Sequence, residues 1–328
     1  MNTGVTTKDI LDVQNLSTRF NMVGHTVRAV DDISFSLNGR EILAIAGESG
    51  SGKSATILSL LRLIQPPGEI SGASRVFFEG EDLLGMSEAE LDRVRGKSIS
   101  MIFQEPSASF NPLFTVGAQI AEVLRVHLKL SRIESLRRAA EVLAQVHIPN
   151  ADKRAKDFPF QLSGGMLQRA MIALALACAP RILLADEPTT ALDPTTSMRI
   201  LDLLKERTSA AGMSMIFVTH DLELLSGFAD RIMVMYAGRI FESGPADSLL
   251  EEPLHPYTRD LLAAIPRPGV FKDSGRLYSI QGRVPDAGRR PEGCAYHPRC
   301  SRAVERCRAE EPALIRKGSS FVRCHVHE

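Results

Sequence analysis

At 328 residues the chain exceeds what one hydrophobic core usually holds, which predicts two domains or a lobed one. Its 39 basic and 39 acidic residues cancel, so no extended nucleic-acid footprint is expected. The opening Met1-Asn2-Thr3-Gly4-Val5-Thr6-Thr7-Lys8-Asp9 reads as no signal peptide, and the longest apolar run, Met171 to Ala179, stops at Pro180-Arg181, far short of the ~20 residues a spanning helix needs. A soluble protein is expected, one that cannot itself form a pore.

In chain order, residues 10–45 and 74–80 are rich in β-branched and alternating apolar positions, which predicts an antiparallel β lobe. The apolar run Ile42-Leu43-Ala44-Ile45-Ala46 then leads into Gly47-Glu48-Ser49-Gly50-Ser51-Gly52-Lys53-Ser54 and on to Ala55-Thr56-Ile57-Leu58-Ser59-Leu60-Leu61. Strand, glycine-rich turn and helix in that order are what a phosphate-cradling P-loop requires. The glycines let successive N–H groups aim at a polyphosphate, and the helix adds its positive end. Lys53 then reaches the β- and γ-phosphates, and Ser54 supplies a hydroxyl to Mg²⁺. A glycine-rich connection of no chemical meaning would not fill every fixed position of G-x-x-x-x-G-K-S/T, so a nucleoside triphosphate site is expected.

Between Gln104 and Ser163 the pattern turns helical. Val116 to Leu128 and Ile133 to Val146 carry apolar residues at three- and four-residue spacing with charges between, as any helical insertion would. Leu162-Ser163-Gly164-Gly165-Met166 sets a serine N-cap and two glycines before the apolar helix Met171 to Ala177, a second anion site with no lysine of its own. Ile182-Leu183-Leu184-Ala185-Asp186-Glu187 reads as a buried strand delivering acids to the sheet's C-terminal edge. There Asp186 would hold the Mg²⁺ hydration shell and Glu187 would polarise the attacking water as general base. Met215 to Asp221 is another buried strand, ending in His220, which is placed to touch a γ-phosphate.

With these motifs in this order, the chain resembles the nucleotide-binding subunits of ABC transporters over roughly residues 8 to 265. The resemblance implies an α/β P-loop NTPase fold: a cassette at residues 1–245 with a RecA-like core, an antiparallel β lobe around the adenine and a helical lobe at about 105–175. It makes Gln104, in Ile102-Phe103-Gln104-Glu105-Pro106, the residue that senses Mg²⁺, the water and the permease. Ser163, Gly164 and Gly165 become a signature acting in trans on a neighbour's nucleotide, Ala191-Leu192-Asp193 the D-loop, and His220 the switch. Phe20, in Ser17-Thr18-Arg19-Phe20, becomes the ring that stacks on adenine. Met166 stands where the family usually has glutamine, as it often does in the peptide-importer branch. The helical lobe would dock a permease, with Ser107-Ala108-Ser109-Phe110-Asn111-Pro112 at the contact.

After about residue 245 prolines crowd the sequence and the strand–helix alternation stops, which predicts a small loop-rich C-terminal domain at 246–328. Four of the five cysteines lie there, Cys294, Cys300, Cys307 and Cys324. A reducing compartment disfavours disulfides, and spacing alone leaves a structural zinc, a 4Fe–4S cluster or no metal open. His297, His325 and His327 are possible substitute ligands, and Cys178 reads as a small buried hydrophobe in the helix after the signature. Glu252 to Thr258 and Gly293 to Cys300 resemble the C-terminal extension of oligopeptide and dipeptide importer ATPases, some of which carry such a cluster, and this favours iron–sulfur on the four cysteines. The resemblance therefore implies a peptide-importing ATPase using ATP, Mg²⁺ and a 4Fe–4S cluster, at the cytoplasmic face of the cell membrane. Its implied partners are a homologous ATPase subunit, two permeases and an extracytoplasmic binding protein. A nickel, glutathione or antimicrobial-peptide transporter of the same branch, and a non-transport or redox-regulated ATPase, are the alternatives.

Overall fold

A computed structural model describes residues 9–190, 192–265, 278–285 and 288–328. It divides into two compact units, one of Asn38–Arg40 and Met86–Val218, the other of Asp9–Leu37, Glu41–Gly85 and Thr219–Glu328.

In the second unit, strand Asp9–Met22 lies between His25–Asn38 and Arg75–Phe78, and Glu81–Asp82 closes that edge. Gly68–Ile70 also pairs with Asp9–Met22, antiparallel, with Phe20 opposite Gly68. Leu11 and Val13, then Leu16 and Thr18, are enclosed at alternate positions of Asp9–Met22, and the phase shifts by one residue at Asn15, which stands at positive φ as in a bulge. The expected antiparallel lobe is therefore present, except for Ile42–Ala46. That strand is buried along its whole length and pairs in parallel with Arg231–Tyr236, as a continuous apolar run covered on both faces does. Arg231–Tyr236 turns at Ala237-Gly238, both at positive φ, into the antiparallel strand Arg239–Pro245.

Beyond residue 245 regular structure continues, with helices Ala246–Glu251 and Pro256–Ala263. Proline here starts a helix: Pro256 occupies the first turn, and the His255 ring accepts from the Tyr257 N–H at 3.0 Å. Near the chain end, Ser320–Val322 pairs antiparallel with Arg239–Pro245, and Ile315–Lys317 pairs with it in turn.

The first unit is built on three parallel strands, Ile99–Ile102, Ile182–Asp186 and Ser214–Thr219, with Ile182–Asp186 in the middle. The expected helices are Val116–Leu128, Arg132–Gln145 and Gly164–Leu176. Arg132 starts its helix because Ser131 and Glu134 form a reciprocal capping box. Val116, Ile120, Ala121 and Leu124 bury one face of the first of these, and each fully buried branched side chain contributes about 1.5–3 kcal/mol. Among the described residues no helix is long and apolar enough to cross a membrane.

Candidate functional site

In the second unit, Gly47, Gly50 and Gly52 have φ of 150°, 78° and 103°. A Cβ at Gly47 would run into the Met235 carbonyl oxygen and one at Gly52 into that of Ala29, whereas at Gly50 it would meet nothing within 4 Å. Gly47 and Gly52 are thus required by backbone and packing together, Gly50 by its backbone alone. Gly52 opens the helix Lys53–Leu60. Lys53 is buried, and its Nζ donates to the carbonyls of Gly47 at 2.8 Å and Glu48 at 3.0 Å. Ser51 Oγ is buried with no hydrogen-bond partner among the described residues, while Ser49 is exposed and Ser54 half-buried. A glycine-kinked loop with an enclosed cation and an unanswered hydroxyl, opening on a helix N-terminus, offers the donors that a polyphosphate takes. Phe20 is half-buried against Gly68, and His220 is exposed directly after its strand.

In the first unit, Asp186 ends the central strand and is buried. Glu187 follows at φ 44°, a left-handed conformation that a non-glycine residue adopts only where its surroundings hold it. They do so here: its N–H donates to the Val218 carbonyl at 3.1 Å, and its Oε2 accepts from Thr190 Oγ1 at 2.9 Å and Gln104 Nε2 at 3.4 Å. The structure thus brings together Gln104 and Glu187, which lie 83 positions apart. Gln168, which no sequence motif marks, is buried and donates to the Pro188 carbonyl at 2.5 Å, fixing the turn after Glu187.

Ser163 caps the helix Gly164–Leu176 by accepting from the Met166 N–H. A Cβ at Gly164 would meet nothing within 4 Å, and one at Gly165 only the Thr196 methyl at 3.6 Å. Asp193 caps the helix Pro194–Ala211, taking the N–H and hydroxyl of Thr196 at 3.0 and 2.6 Å, and these bonds hold its carboxyl below the usual range. Ala191 lies outside the described residues.

Cys294, Cys307 and Cys324 are buried and Cys300 is half-buried, all as free thiols. Burial pushes the Cys294 thiol up to about 12, and the nearby Cys307, Cys324 and Cys300 add to the rise. Burial likewise raises Cys300 and Cys324. Among the described residues no group of three or more His, Cys, Asp or Glu side chains could hold a metal ion, so the expected metal site and iron–sulfur cluster find no support there. The histidines have other work. His325 contacts Glu328 at 2.8 Å and the Glu310 carbonyl at 2.9 Å, His327 the Leu254 carbonyl, and His297 the Cys294 carbonyl. Cys178 is half-buried just past the helix end at Leu176, not enclosed within the helix as expected.

The ABC transporter family pattern matches residues 30–190, that of the oligopeptide/dipeptide transporter C-terminal region 241–307, and an AAA domain pattern 158–226. A peptide import ATP-binding protein of Brucella abortus is 46% identical over 324 residues, covering 99% of this chain and 97% of that protein. Another such protein, from Brucella melitensis, is 47% identical over 314 residues, 93% of each. The dimeric post-hydrolysis state of the ATP-binding cassette MJ0796, bound to ADP and Pi, is similar at a TM-score of 0.64 and 29% identity, covering 72% of this chain and 98% of that one. For cbiO1 from Clostridium perfringens, part of the cbiONQ ABC transporter complex, the TM-score is 0.62 at 27% identity, covering 75% and 92%. With a P-loop, a strand-end carboxylate pair and near-full-length identity of this size, the chain belongs to the ABC transporter ATPases that carry the oligopeptide/dipeptide transporter C-terminal region.

Proposed function

We propose that this chain is the ATP-hydrolysing subunit of a peptide importer. The observation that carries the chemistry is Glu187, held at a strained backbone position with Thr190 and Gln104 on one of its oxygens, where it would orient and deprotonate a water. Gly47, Glu48, Ser49, Gly50, Ser51, Gly52, Lys53 and Ser54 would receive the phosphates, with Phe20 on the adenine and His220 at the γ-phosphate. Ser54, Gln104 and Asp186 are the residues to hold Mg²⁺, which when bound offsets charge on the phosphates.

Ser163, Gly164 and Gly165 would act on the nucleotide of a second, homologous ATPase subunit. Supporting this, Ser163 is exposed and, among the described residues, no contact requires Gly164 to lack a side chain. Two permeases and an extracytoplasmic binding protein complete the assembly at the cytoplasmic face of the membrane. Exposed Phe103, Leu113 and Phe114 flank the loop offered to the permease. Residues 1–245 would form the transport cassette and 246–328 an added domain. The peptide cargo follows the names of the Brucella relatives and the matched C-terminal region. A 4Fe–4S cluster on Cys294, Cys300, Cys307 and Cys324 is proposed from the sequence resemblance, and what supports it is that all four are free thiols, three buried and one half-buried. Anaerobic protein would then carry about four irons per chain, and iron-free protein overturns the cluster alone.

The reading is tested with the complete transporter in vesicles, by measuring ATP turnover and labelled-peptide uptake together. Turnover that rises with peptide-loaded binding protein supports it. Turnover indifferent to every peptide, with no uptake, overturns it.

A further inference from the structure

Arg299, next to Cys300 in sequence, reaches the P-loop. Its Nη1 and Nη2 donate to Glu48 Oε2 and Oε1 at 2.7 and 3.0 Å, a bidentate pair. Only 5% of the Arg299 side chain is exposed, against 26% for Glu48. The guanidinium is fixed from other sides as well: Nε donates to the Gln281 carbonyl at 2.9 Å, and Tyr236 and Tyr296 lie under it at 5.8 and 5.7 Å. The backbone of Glu48 is held separately, its N–H donating to Tyr257 Oη at 2.9 Å. Both holds come from the segment after residue 245, and the Glu48 carbonyl is one of the two that Lys53 Nζ touches.

Two physical consequences follow. A loop with glycines at positive φ loses much conformational freedom on ordering, and ordering it before the ligand arrives lowers the free energy that binding must supply. A carboxylate in a phosphate loop also repels its ligand, and a bidentate guanidinium cancels that charge.

We propose that Arg299, together with Tyr257, is a positioning residue for nucleotide binding, holding and neutralising Glu48 so that the P-loop stands ready for phosphate. The C-terminal segment thereby sets nucleotide affinity. This rests on the reading of Gly47–Ser54 as the ATP site.

The test uses the full chain, with MgATP binding measured by calorimetry and KM and kcat measured on the assembled transporter. R299Q should weaken MgATP binding about tenfold and raise KM alike, with kcat within about twofold, since it leaves a bare carboxylate beside the phosphates. R299K should recover part of the loss, because it restores the charge without the fork. In an E48Q background, R299Q should change binding less than about twofold, since the charge it answers is gone. Tyr257→Phe, which removes one hydroxyl, should weaken binding about threefold. Unaltered binding in R299Q, or an equal loss with and without Glu48, overturns the proposal. Should R299Q not fold, unaltered binding in Tyr257→Phe overturns it instead. Lys53→Ala separates the two readings: if it binds MgATP normally, the P-loop assignment itself fails, whereas a weak Lys53→Ala beside a normal R299Q sinks only the positioning role.

Discussion

Glu187 and Lys53 mark two different duties at the residue scale. Glu187 has its backbone pinned by Val218 and one oxygen engaged by Thr190 and Gln104, so Glu187→Gln keeps the shape and loses the base. We expect that variant to lose about 10²–10⁴ in ATP hydrolysis while binding MgATP within a few-fold of the parent, the closed dimer accumulating on gel filtration. Equal loss of binding and turnover would remove Glu187 from the base role. Lys53→Ala should act on binding itself, by about 10- to 100-fold, because a buried ammonium already drawn in by the loop carbonyls is lost.

Among the elements, two helix starts give separable predictions. Ser163 caps Gly164–Leu176, and Ser163→Ala should cost about 1 kcal/mol of stability, lowering the melting temperature by a few degrees. Its effect on turnover should be far larger in the assembled pair than that stability loss accounts for, and a purely thermal effect would assign Ser163 to capping alone. At Pro256–Ala263 the cap is His255, fully enclosed, whose ring burial lowers from 6.5 to about 3. The folded state keeps this ring neutral across that window while the unfolded chain takes up a proton. Stability therefore rises with pH there and is lost as pH falls from 6.5 toward about 3. Glu242, which accepts the His255 backbone N–H at 2.9 Å, is raised by burial and titrates with the opposite sign, and the charge of His327 also lowers the His255 ring. Comparison with His255→Asn, which keeps a cap acceptor, isolates the histidine. The parent should lose up to about 1.4 kcal/mol more per pH unit in urea unfolding, and parallel curves would show that His255 does not stay neutral.

For the whole molecule, an exposed Ser163 that caps its helix and a Gly164 with open space around it fit the proposal that one chain supplies half of a site. The isolated chain should hydrolyse ATP slowly and gain when the homologous subunit and permeases are added, with a rate that rises with concentration. Full activity of a monomer at high dilution would contradict the composite site.

The sequence by itself determined the features that are local. The P-loop, the buried strand ends at Asp186 and Thr219 and the helices Val116–Leu128 and Arg132–Gln145 were legible because glycine conformation, caps and apolar period act over a few residues. Gln104 came from resemblance, and only folding laid its amide against Glu187. Tertiary structure alone decided that Ile42–Ala46 joins a parallel pairing, and that a strand as late as Ser320–Val322 adds to Arg239–Pro245. It alone set Arg299 on Glu48, 251 positions away, and Tyr257 on the same residue from 209. Spacing rules carry no information over such separations, because the contacts depend on how whole elements pack and not on the order of neighbours along the chain.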